Sequence, residues 1–351
     1  MRAGRATARR FDTKTLTVVG DPVTLSEGEA GEERGLTLSA SESGVVAYSN
    51  APDIRTAMTW YTRAGAAAGT VPATGRVEWP ELSPDGQRVA YGELGQAFRW
   101  DIWVTDLSRG GVPMRVSSDA TQRAAPVWSP DGSRLAYSGT REGVLDLFVR
   151  QAAGATAEQP LLRSADGKFA TDWSADGAFL IYDQISNVTG FDVYALPLTG
   201  DRTPRPLAQS PAAEFQGQLS PNGRWLAFAS TESSSPTQGS DVFVQAFSAA
   251  PGKWRVSTAG GWQPRWRRDG KELFYTEGDS MMAVDVRESA SGFEVGRPHA
   301  LFTVRMFYDA ETYRTQYSVT ADGQRFLVNA MVSEPKPPPI VIVLNWAALL
   351  K

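Results

Sequence analysis

The chain has no cysteine and a single histidine, His299, among its 351 residues. Without cysteine there is no disulfide framework, no thiolate nucleophile, no iron–sulfur cluster and no cysteine-bearing zinc site. One histidine excludes multi-histidine metal centres and leaves little room for a serine–histidine catalytic pair. We therefore expect no catalytic residue, no metal and no cofactor.

The chain also lacks an excess of positive charge and a long apolar run. It carries 35 Lys and Arg against 39 Asp and Glu, a formal net charge of −4, whereas nucleic-acid binding needs a positive field. Its longest apolar runs, such as 340–344, have five residues, and a bilayer-spanning helix needs about 20. The basic segment 1–10 is not followed by the apolar core of a signal peptide. We expect no nucleic-acid partner, no membrane insertion and, for the chain as written, a cytoplasmic monomer.

A short phrase recurs along the chain at a nearly constant interval. Its clear copies are Leu82-Ser-Pro-Asp-Gly86, Trp128-Ser-Pro-Asp-Gly132, Trp173-Ser-Ala-Asp-Gly177, Leu219-Ser-Pro-Asn-Gly223, Trp266-Arg-Arg-Asp-Gly270 and Val319-Thr-Ala-Asp-Gly323. A weaker copy, Ser41-Glu-Ser-Gly44, precedes them, and successive glycines lie 42, 46, 45, 46, 47 and 53 residues apart. A repeat of this kind determines the fold, so a prediction that overlooked it would assign the wrong architecture.

The phrase predicts a hairpin turn. Proline fixes φ near −65° at the second position of a type I turn, aspartate is favoured at the next position, and glycine accepts the left-handed conformation that follows. We therefore predict a structural role for the turn residues. These are Asp85, Gly86, Asp131, Gly132, Asp176, Gly177, Asn222, Gly223, Asp269, Gly270, Asp322 and Gly323.

Strand patterns flank every copy. A strand with Trp or Leu precedes the turn, an apolar strand such as 88–91 follows it, and a further alternating pair such as 101–107 and 113–117 completes the period. Four short strands in about 46 residues match one blade of a β-propeller. The sequence predicts an all-β fold of four-stranded antiparallel blades in a single domain, residues 1–351.

The two ends of the chain decide the number of blades. The last copy is followed by one further strand, and segment 7–25 reads like outer strands without a turn hairpin. A seven-bladed ring, in which the terminal strands close one composite blade, is preferred over the alternative of six blades. The predicted blades are 36–72, 79–117, 126–163, 170–208, 215–257, 263–302, and 314–345 completed by 7–25.

The repeat and the phrases that flank it resemble a known family of propeller repeats. Trp-Ser-Pro-Asp-Gly, with the Leu-Ala-Tyr and Asp-Ile-Trp-Val phrases after it, resembles the WD-like propeller repeats of TolB and of the dipeptidyl-peptidase and prolyl-oligopeptidase class, over residues 36–345. Segments 260–275 and 343–351 are similar to sensor-like propellers fused to acidobacterial-type serine/threonine kinases. A kinase Gly-rich loop, a His-Arg-Asp element and a Gly-x-Ser-x-Gly motif are all missing from the sequence. A TolB-type or membrane-anchored parent would imply a periplasmic location.

Function in a propeller is expected where the repeats differ, in the loops that enter the innermost strands. Those loops mix charges and aromatic rings, which suits a binding funnel at the channel mouth. The candidate funnel residues are Glu78, Trp79, Arg123, Lys168, Phe169, Glu214, Phe215, Gln216, Trp262, Gln263, Tyr313 and Arg314. Tyr308 shares the longest such loop with Tyr313.

The leading hypothesis is a non-catalytic propeller that binds a protein, a peptide or a small ligand at this mouth. The alternative is a propeller enzyme, a saccharide lyase or hydrolase in which Glu78 and Glu214 face each other across the funnel. A third hypothesis makes the chain the ligand-sensing part of a larger kinase or regulator. Sequence encoded directly upstream would distinguish it from the others.

Overall fold

The structure is a computed structural model. It describes residues 7–24, 37–41, 45–49, 55–73, 75–95, 99–108, 110–117, 122–154, 156–187, 189–233, 239–248, 252–289, 292–306, 314–332, 340–346 and 348. Within these ranges the chain forms 30 strands and no α-helix, which confirms the all-β class. None of the described residues belongs to a helix long and apolar enough to span a membrane.

Contacts divide the chain into two compact units. The larger unit is Thr56–Val332, and the smaller combines Met1–Arg55 with Ser333–Lys351. The single domain over residues 1–351 stays a prediction.

The smaller unit contains a hairpin and a three-stranded sheet. Its strands are β1 (Thr7–Asp12), β2 (Thr17–Thr24), β3 (Thr37–Ala40), β4 (Val45–Ser49) and β30 (Ile340–Leu344). β1 pairs with β2, whereas β4 lies between β3 and β30, all antiparallel. The C-terminal strand therefore joins the first, weak copy of the repeat.

The larger unit begins its run of sheets with two four-stranded antiparallel blades. The first is β7 (Val77–Leu82), β8 (Arg88–Leu94), β9 (Trp100–Asp106) and β10 (Met114–Arg115). The second is β11 (Arg123–Trp128), β12 (Arg134–Arg141), β13 (Val144–Gln151) and β14 (Gln159–Leu162).

Three more sheets follow in chain order. The third is β15 (Gly167–Trp173), β16 (Phe179–Ser186), β17 (Gly190–Pro197) and β18 (Arg205–Ala208), and the fourth is β19 (Glu214–Leu219), β20 (Trp225–Ser230), β21 (Asp241–Ala246) and β22 (Lys253–Arg255). The fifth is β23 (Trp262–Trp266), β24 (Glu272–Glu277) and β25 (Ser280–Ser289), with both β26 (Gly292–Val295) and β27 (His299–Thr303) paired to β25.

The sixth sheet joins the two ends of the larger unit. Its strands are β28 (Tyr317–Val319), β29 (Arg325–Met331), β5 (Thr56–Thr62) and β6 (Ala67–Thr70), in that order across the sheet. Val328 of β29 lies opposite Thr59 of β5. The predicted completion of this blade by segment 7–25 is therefore wrong, because β5 and β6 complete the sheet of β28 and β29.

The predicted blade 36–72 is also wrong as drawn, since β3 and β4 pair with β30 while β5 and β6 pair with β29. The burial of apolar side chains explains why β5 pairs with β29. Its Met58 and Trp60 pack with Leu327 of β29 against Val77 and Val89 of the first sheet. The described part of the larger unit thus has six sheets, and the number of blades in the chain stays a prediction.

The turns adopt the conformation that the repeat predicts. The six turn glycines have φ between 67° and 75°, the left-handed region that favours glycine. In the second sheet the Ser129 hydroxyl donates to Asp131 Oδ1 at 2.5 Å, and the backbone N–H of Ser133 donates to the same oxygen at 3.0 Å. Aspartate in the phrase therefore stabilises its own turn.

Neighbouring sheets are held together by apolar packing and by a few hydrogen bonds. The indole of Trp128 donates to the Glu81 carbonyl at 2.9 Å, from the second sheet to the first. The backbone N–H of Leu82 donates to Ser318 Oγ at 3.1 Å, from the first sheet to the sixth. The last sheet therefore contacts the first, as the closure of a ring requires.

Candidate functional site

The inner strands of five sheets and the segment just before β28 of the sixth line one cavity, which we call the channel. Its lining residues are Trp79, Glu81, Ala125, Pro126, Val127, Ala170, Thr171, Gln216, Arg265, Arg314 and Thr315. The side chains leave about 30 Å³ of room for the centre of a water molecule. One water needs about 10–15 Å³ on that measure, so the channel has room for two waters or one small polar group.

One side of the channel is closed by a layer that we call the channel floor. It takes one residue from each sheet, always five positions before the turn glycine: Glu81, Val127, Asp172, Gln218, Arg265 and Ser318. Arg265 of the fifth sheet donates to Glu81 of the first sheet at 2.5 and 3.1 Å, and to Gln218 of the fourth at 3.3 Å. Arg265, Glu81 and Gln218 therefore form a polar network across the floor.

Burial changes the acidity of the floor carboxyls. It raises the pKa of Asp172 to about 7, although the amide of Leu219 and the charge of Arg265 both act to lower it. Burial likewise raises the pKa of Glu81, against the opposing effect of Arg265. Asp172 Oδ2 accepts the Leu219 N–H at 2.7 Å, so this carboxyl also links the third sheet to the fourth.

The other side of the channel holds Arg314, just before β28. Its guanidinium lies over the Phe169 ring of the third sheet, 3.0 Å from the ring centroid. Its Nη1 is 3.7 Å from Asp183 Oδ2, too far for a hydrogen bond. Only 6% of Arg314 is exposed, and Nε, Nη1 and Nη2 have no hydrogen-bond acceptor among the described residues.

Arg314 therefore has few neighbouring groups that offset its positive charge. Burial lowers the pKa of Arg314 to about 9, opposed by the charge of Asp183. Asp183 itself accepts the backbone N–H of Gln216 at 3.0 Å. Burial raises the pKa of Asp183 to about 7 although Arg314 and the amides of Gln216 and Gly217 act in the opposite direction.

Two predicted funnel residues, Gln216 and Gln263, lie between sheets. The side-chain oxygen of Gln216 accepts the Gln263 N–H at 2.7 Å, and that of Gln263 accepts the Gln316 N–H at 2.6 Å. Both glutamines have positive φ, 61° and 58°, at points where the strand register shifts. The bulges aim these side chains at the neighbouring sheet.

The predicted basic residues of the second and third sheets are already paired. Arg123 is fully buried and its Nη2 donates to Glu158 at 2.8 Å. Lys168 is also buried, and its Nζ lies 3.1 Å from Asp146 Oδ1. Arg123 therefore stabilises its own blade, whereas Lys168 links the third sheet to the second.

The two candidate carboxylates are engaged as well. Glu78 Oε1 lies 2.5 Å from Arg76 Nη2, and Glu214 Oε1 accepts from the Ser210 hydroxyl at 2.5 Å. Burial raises the pKa of Glu214, against the hydrogen bond from Ser210. Neither residue is among those that line the channel.

The predicted aromatic residues pack mainly into the walls. Trp79 lies 4.7 Å from Trp100 between ring centroids, and Phe215 lies 5.3 Å from Trp262. Trp79, Phe169 and Phe215 are buried, whereas Trp262 is partly exposed. Tyr308 and Tyr313 lie outside the described residues.

Sequence reasoning missed the channel floor. The signal was available, because the position five residues before the turn glycine changes character from blade to blade, as in Glu81, Asp172 and Arg265, while the residue after it stays apolar. No group of three or more His, Cys, Asp or Glu side chains suited to a metal ion occurs in the described ranges.

No known protein-family profile matches the sequence. Two curated proteins match in part: Tricorn protease homolog 1 of Streptomyces coelicolor is 32% identical over 120 residues, 33% of this chain and 11% of that protein. The uncharacterized peptidase YuxL of Bacillus subtilis is 31% identical over 109 residues, 29% of this chain and 16% of that protein. The chain thus spans less than a fifth of these relatives.

Solved structures match over most of the chain. The putative TolB of Agrobacterium tumefaciens aligns with a TM-score of 0.63 and 18% identity, covering 80% of this chain and all (100%) of that one. An oligogalacturonate lyase in complex with manganese aligns with a TM-score of 0.55 and 13% identity over 92% and 99% of the two chains. TolB of Acinetobacter baumannii gives 0.52 and 17% over 82% and 75%. With six antiparallel sheets around one channel in the described part of its larger unit, the chain has the TolB-like β-propeller fold.

Proposed function

We propose that this propeller is a non-catalytic binding module that takes a small ligand, or the end of a protein or peptide, into the channel. The observation that carries the proposal is the difference in hydrogen bonding between the two arginines that line the channel, Arg265 and Arg314. Glu81 and Arg265 form an ion pair at the floor that leaves Arg265 Nε without an acceptor, whereas Arg314 has three donor atoms without an acceptor in the described structure.

Buried donors without acceptors are rare in native proteins, because each one costs the free energy of its lost hydration. Such a group needs an explanation, and a bound ligand that brings acceptors to all three donors supplies one. The carboxylates that an enzyme would use, Glu78 and Glu214, are bound to Arg76 and Ser210 instead. The charges therefore support ligand binding better than carboxylate catalysis.

A variant that fills the channel tests the proposal. Thr171 lines the channel, so Thr171→Phe should occupy its free volume. The probes are a pool of small molecules extracted from the native cell and a pool of random peptides, each dialysed against the protein and read by mass spectrometry. Compounds retained by the wild type should be lost from Thr171→Phe.

Thr70→Phe provides the matched control, because Thr70 is exposed on the outer strand β6. It makes the same chemical change outside the channel and should retain the compounds that the wild type retains. Near-UV circular dichroism confirms that both variants are folded, since overpacking costs about 1–3 kcal/mol. Equal retention by the two variants would show that the channel is not the binding site.

The alternative enzyme has one observation in its favour. Burial raises the pKa of Asp172 and of Asp183 to about 7, which is the range that a general acid or base needs. Both carboxyls accept backbone N–H groups of the next sheet, which gives them a structural task already. The non-catalytic function is therefore preferred.

A further inference from the structure

We propose that Arg314 anchors one carboxylate group of the ligand inside the channel. The proposal rests on the proposed function and assigns the chemistry of its ligand. Arg314 lines the channel and is buried, with only 6% of its surface exposed. Its Nε, Nη1 and Nη2 atoms have no hydrogen-bond acceptor among the described residues.

The geometry suits a planar anion. The Phe169 ring covers one face of the guanidinium, with its centroid 3.0 Å from Cζ, so the N–H groups point sideways within the guanidinium plane. A carboxylate accepts two parallel N–H groups in that plane, and such charge-assisted pairs are the strongest hydrogen bonds in proteins. Phe169 therefore acts as a positioning residue for the fork of Arg314.

Size and charge favour a carboxylate over a phosphate. The channel leaves about 30 Å³ for water centres, enough for two waters and hence for the two oxygens of one carboxylate. Asp183 Oδ2, 3.7 Å from Arg314 Nη1, already offsets part of the positive charge. A dianionic phosphate would face repulsion from that carboxyl, whereas a single negative charge faces less.

Acetate is the direct probe, with acetamide as its uncharged match. Titration of the full chain with ¹³C-labelled acetate, followed by NMR line width in a carboxylate-free buffer at pH 8, should show saturable binding. Acetamide at the same concentrations should show none. Arg314→Gln should weaken acetate binding at least tenfold, because it removes the charged fork.

Two further variants separate the site from a general loss of structure. Arg268→Gln also removes an arginine beside the channel, but on the turn side, where Arg268 Nη1 donates to the Pro84 carbonyl; it should bind acetate as the wild type does. Arg314→Lys keeps the charge without the planar fork and should bind with intermediate affinity.

The source of the carboxylate is distinguished by a peptide arm. Acetyl-dialanine with a free C-terminus should bind more tightly than acetate if a peptide end is the ligand, and its C-terminal amide should not bind. Affinity for acetyl-dialanine equal to that for acetate assigns a small free acid instead. Inorganic phosphate that displaces acetate with higher affinity would overturn the carboxylate assignment.

The outcomes separate this inference from the function beneath it. No acetate binding to the wild type, or equal binding to Arg314→Gln, would mean that Arg314 is not an anion anchor. If Thr171→Phe still abolishes retention of native compounds, the binding function stands and only the carboxylate anchor fails. Loss of both effects would overturn both.

Discussion

Arg265 reaches across the channel floor to Glu81, so that the fifth sheet is ion-paired to the first sheet past the sixth. The Arg265 and Glu81 side chains are 12% and 18% exposed, so the pair is largely removed from water. Removal of one partner of such a pair leaves an uncompensated charge and costs up to about 3–5 kcal/mol.

We therefore expect Glu81→Gln and Arg265→Gln each to lower the free energy of unfolding, with the double variant less destabilised than the sum of the two. Urea unfolding of the four proteins measures the coupling. Strict additivity would show that the two side chains do not interact in solution.

The buried carboxyls Asp172 and Asp183 predict a pH dependence of stability. Burial raises both pKa values from 3.8 to about 7, so between pH 4 and 7 the folded state keeps protons that the unfolded state has lost. Their contribution to stability is complete below pH 4 and is lost as the pH rises through about 7. The fall in unfolding free energy over this window should be shallower in Asp172→Asn and Asp183→Asn.

Asp131 is the control, because its pKa is lowered in the folded state whereas those of Asp172 and Asp183 are raised. Its hydrogen bond from Ser129 is the largest influence that lowers the pKa of this exposed turn residue to about 2. The stability that it contributes is present above the unfolded pKa and is lost as the pH falls through about 2. An Asp131→Asn variant should therefore leave the slope between pH 4 and 7 unchanged, and an equal change in all three variants would contradict the assignment.

The sixth sheet predicts where the chain can be shortened. Its strands β28, β29, β5 and β6 all lie within Thr56–Val332. A protein of residues 56–332 should fold and unfold in one cooperative transition. A protein of residues 71–332, without β5 and β6, should lose that transition because the edge of β29 is left unpaired. Failure of 56–332 to fold, with recovery when 1–55 is restored, would contradict this closure.

The candidate carboxylate pair gives a test of the rival enzyme. Glu78 and Glu214 bind Arg76 and Ser210. The Glu78→Gln/Glu214→Gln double variant should therefore leave any turnover on a panel of acidic and neutral oligosaccharides unchanged. A hundredfold or larger loss of a measurable wild-type activity would restore the enzyme hypothesis, since general acid–base catalysis contributes about 10²–10⁴-fold.

The sequence predicts the repeating part of the fold closely, because the turn phrase marks every inner hairpin. The predicted blade 263–302 is observed as 262–303, and 170–208 as 167–208. Closure could not be predicted, since β5 pairs with β29 far along the chain and its spacing from the weak first repeat suggested a local partner.

The candidate site depends on local backbone geometry that the sequence does not show. Of the candidate funnel residues, Trp79, Gln216 and Arg314 line the channel, and their role in binding stays a prediction. Bulges with positive φ at Trp79, Gln216 and Gln263 change the direction of the side chain at these positions, which a prediction from loop position alone does not include. The Gln263 side chain, for example, accepts the Gln316 N–H of the next sheet.

The central claim is that the Arg314 charge is maintained for a ligand and at a cost to the fold. Its most direct test is the melting temperature of Arg314→Gln at pH 5.5, in a buffer without carboxylate, with Arg123→Gln beside it. Arg123→Gln should melt lower, because it breaks the buried bidentate pair with Glu158. Arg314→Gln should melt a few degrees above the wild type, because Asp183 is then largely protonated and a buried cation without acceptors is removed. A drop in melting temperature as large as that of Arg123→Gln would show that Arg314 stabilises the propeller, and would contradict the account.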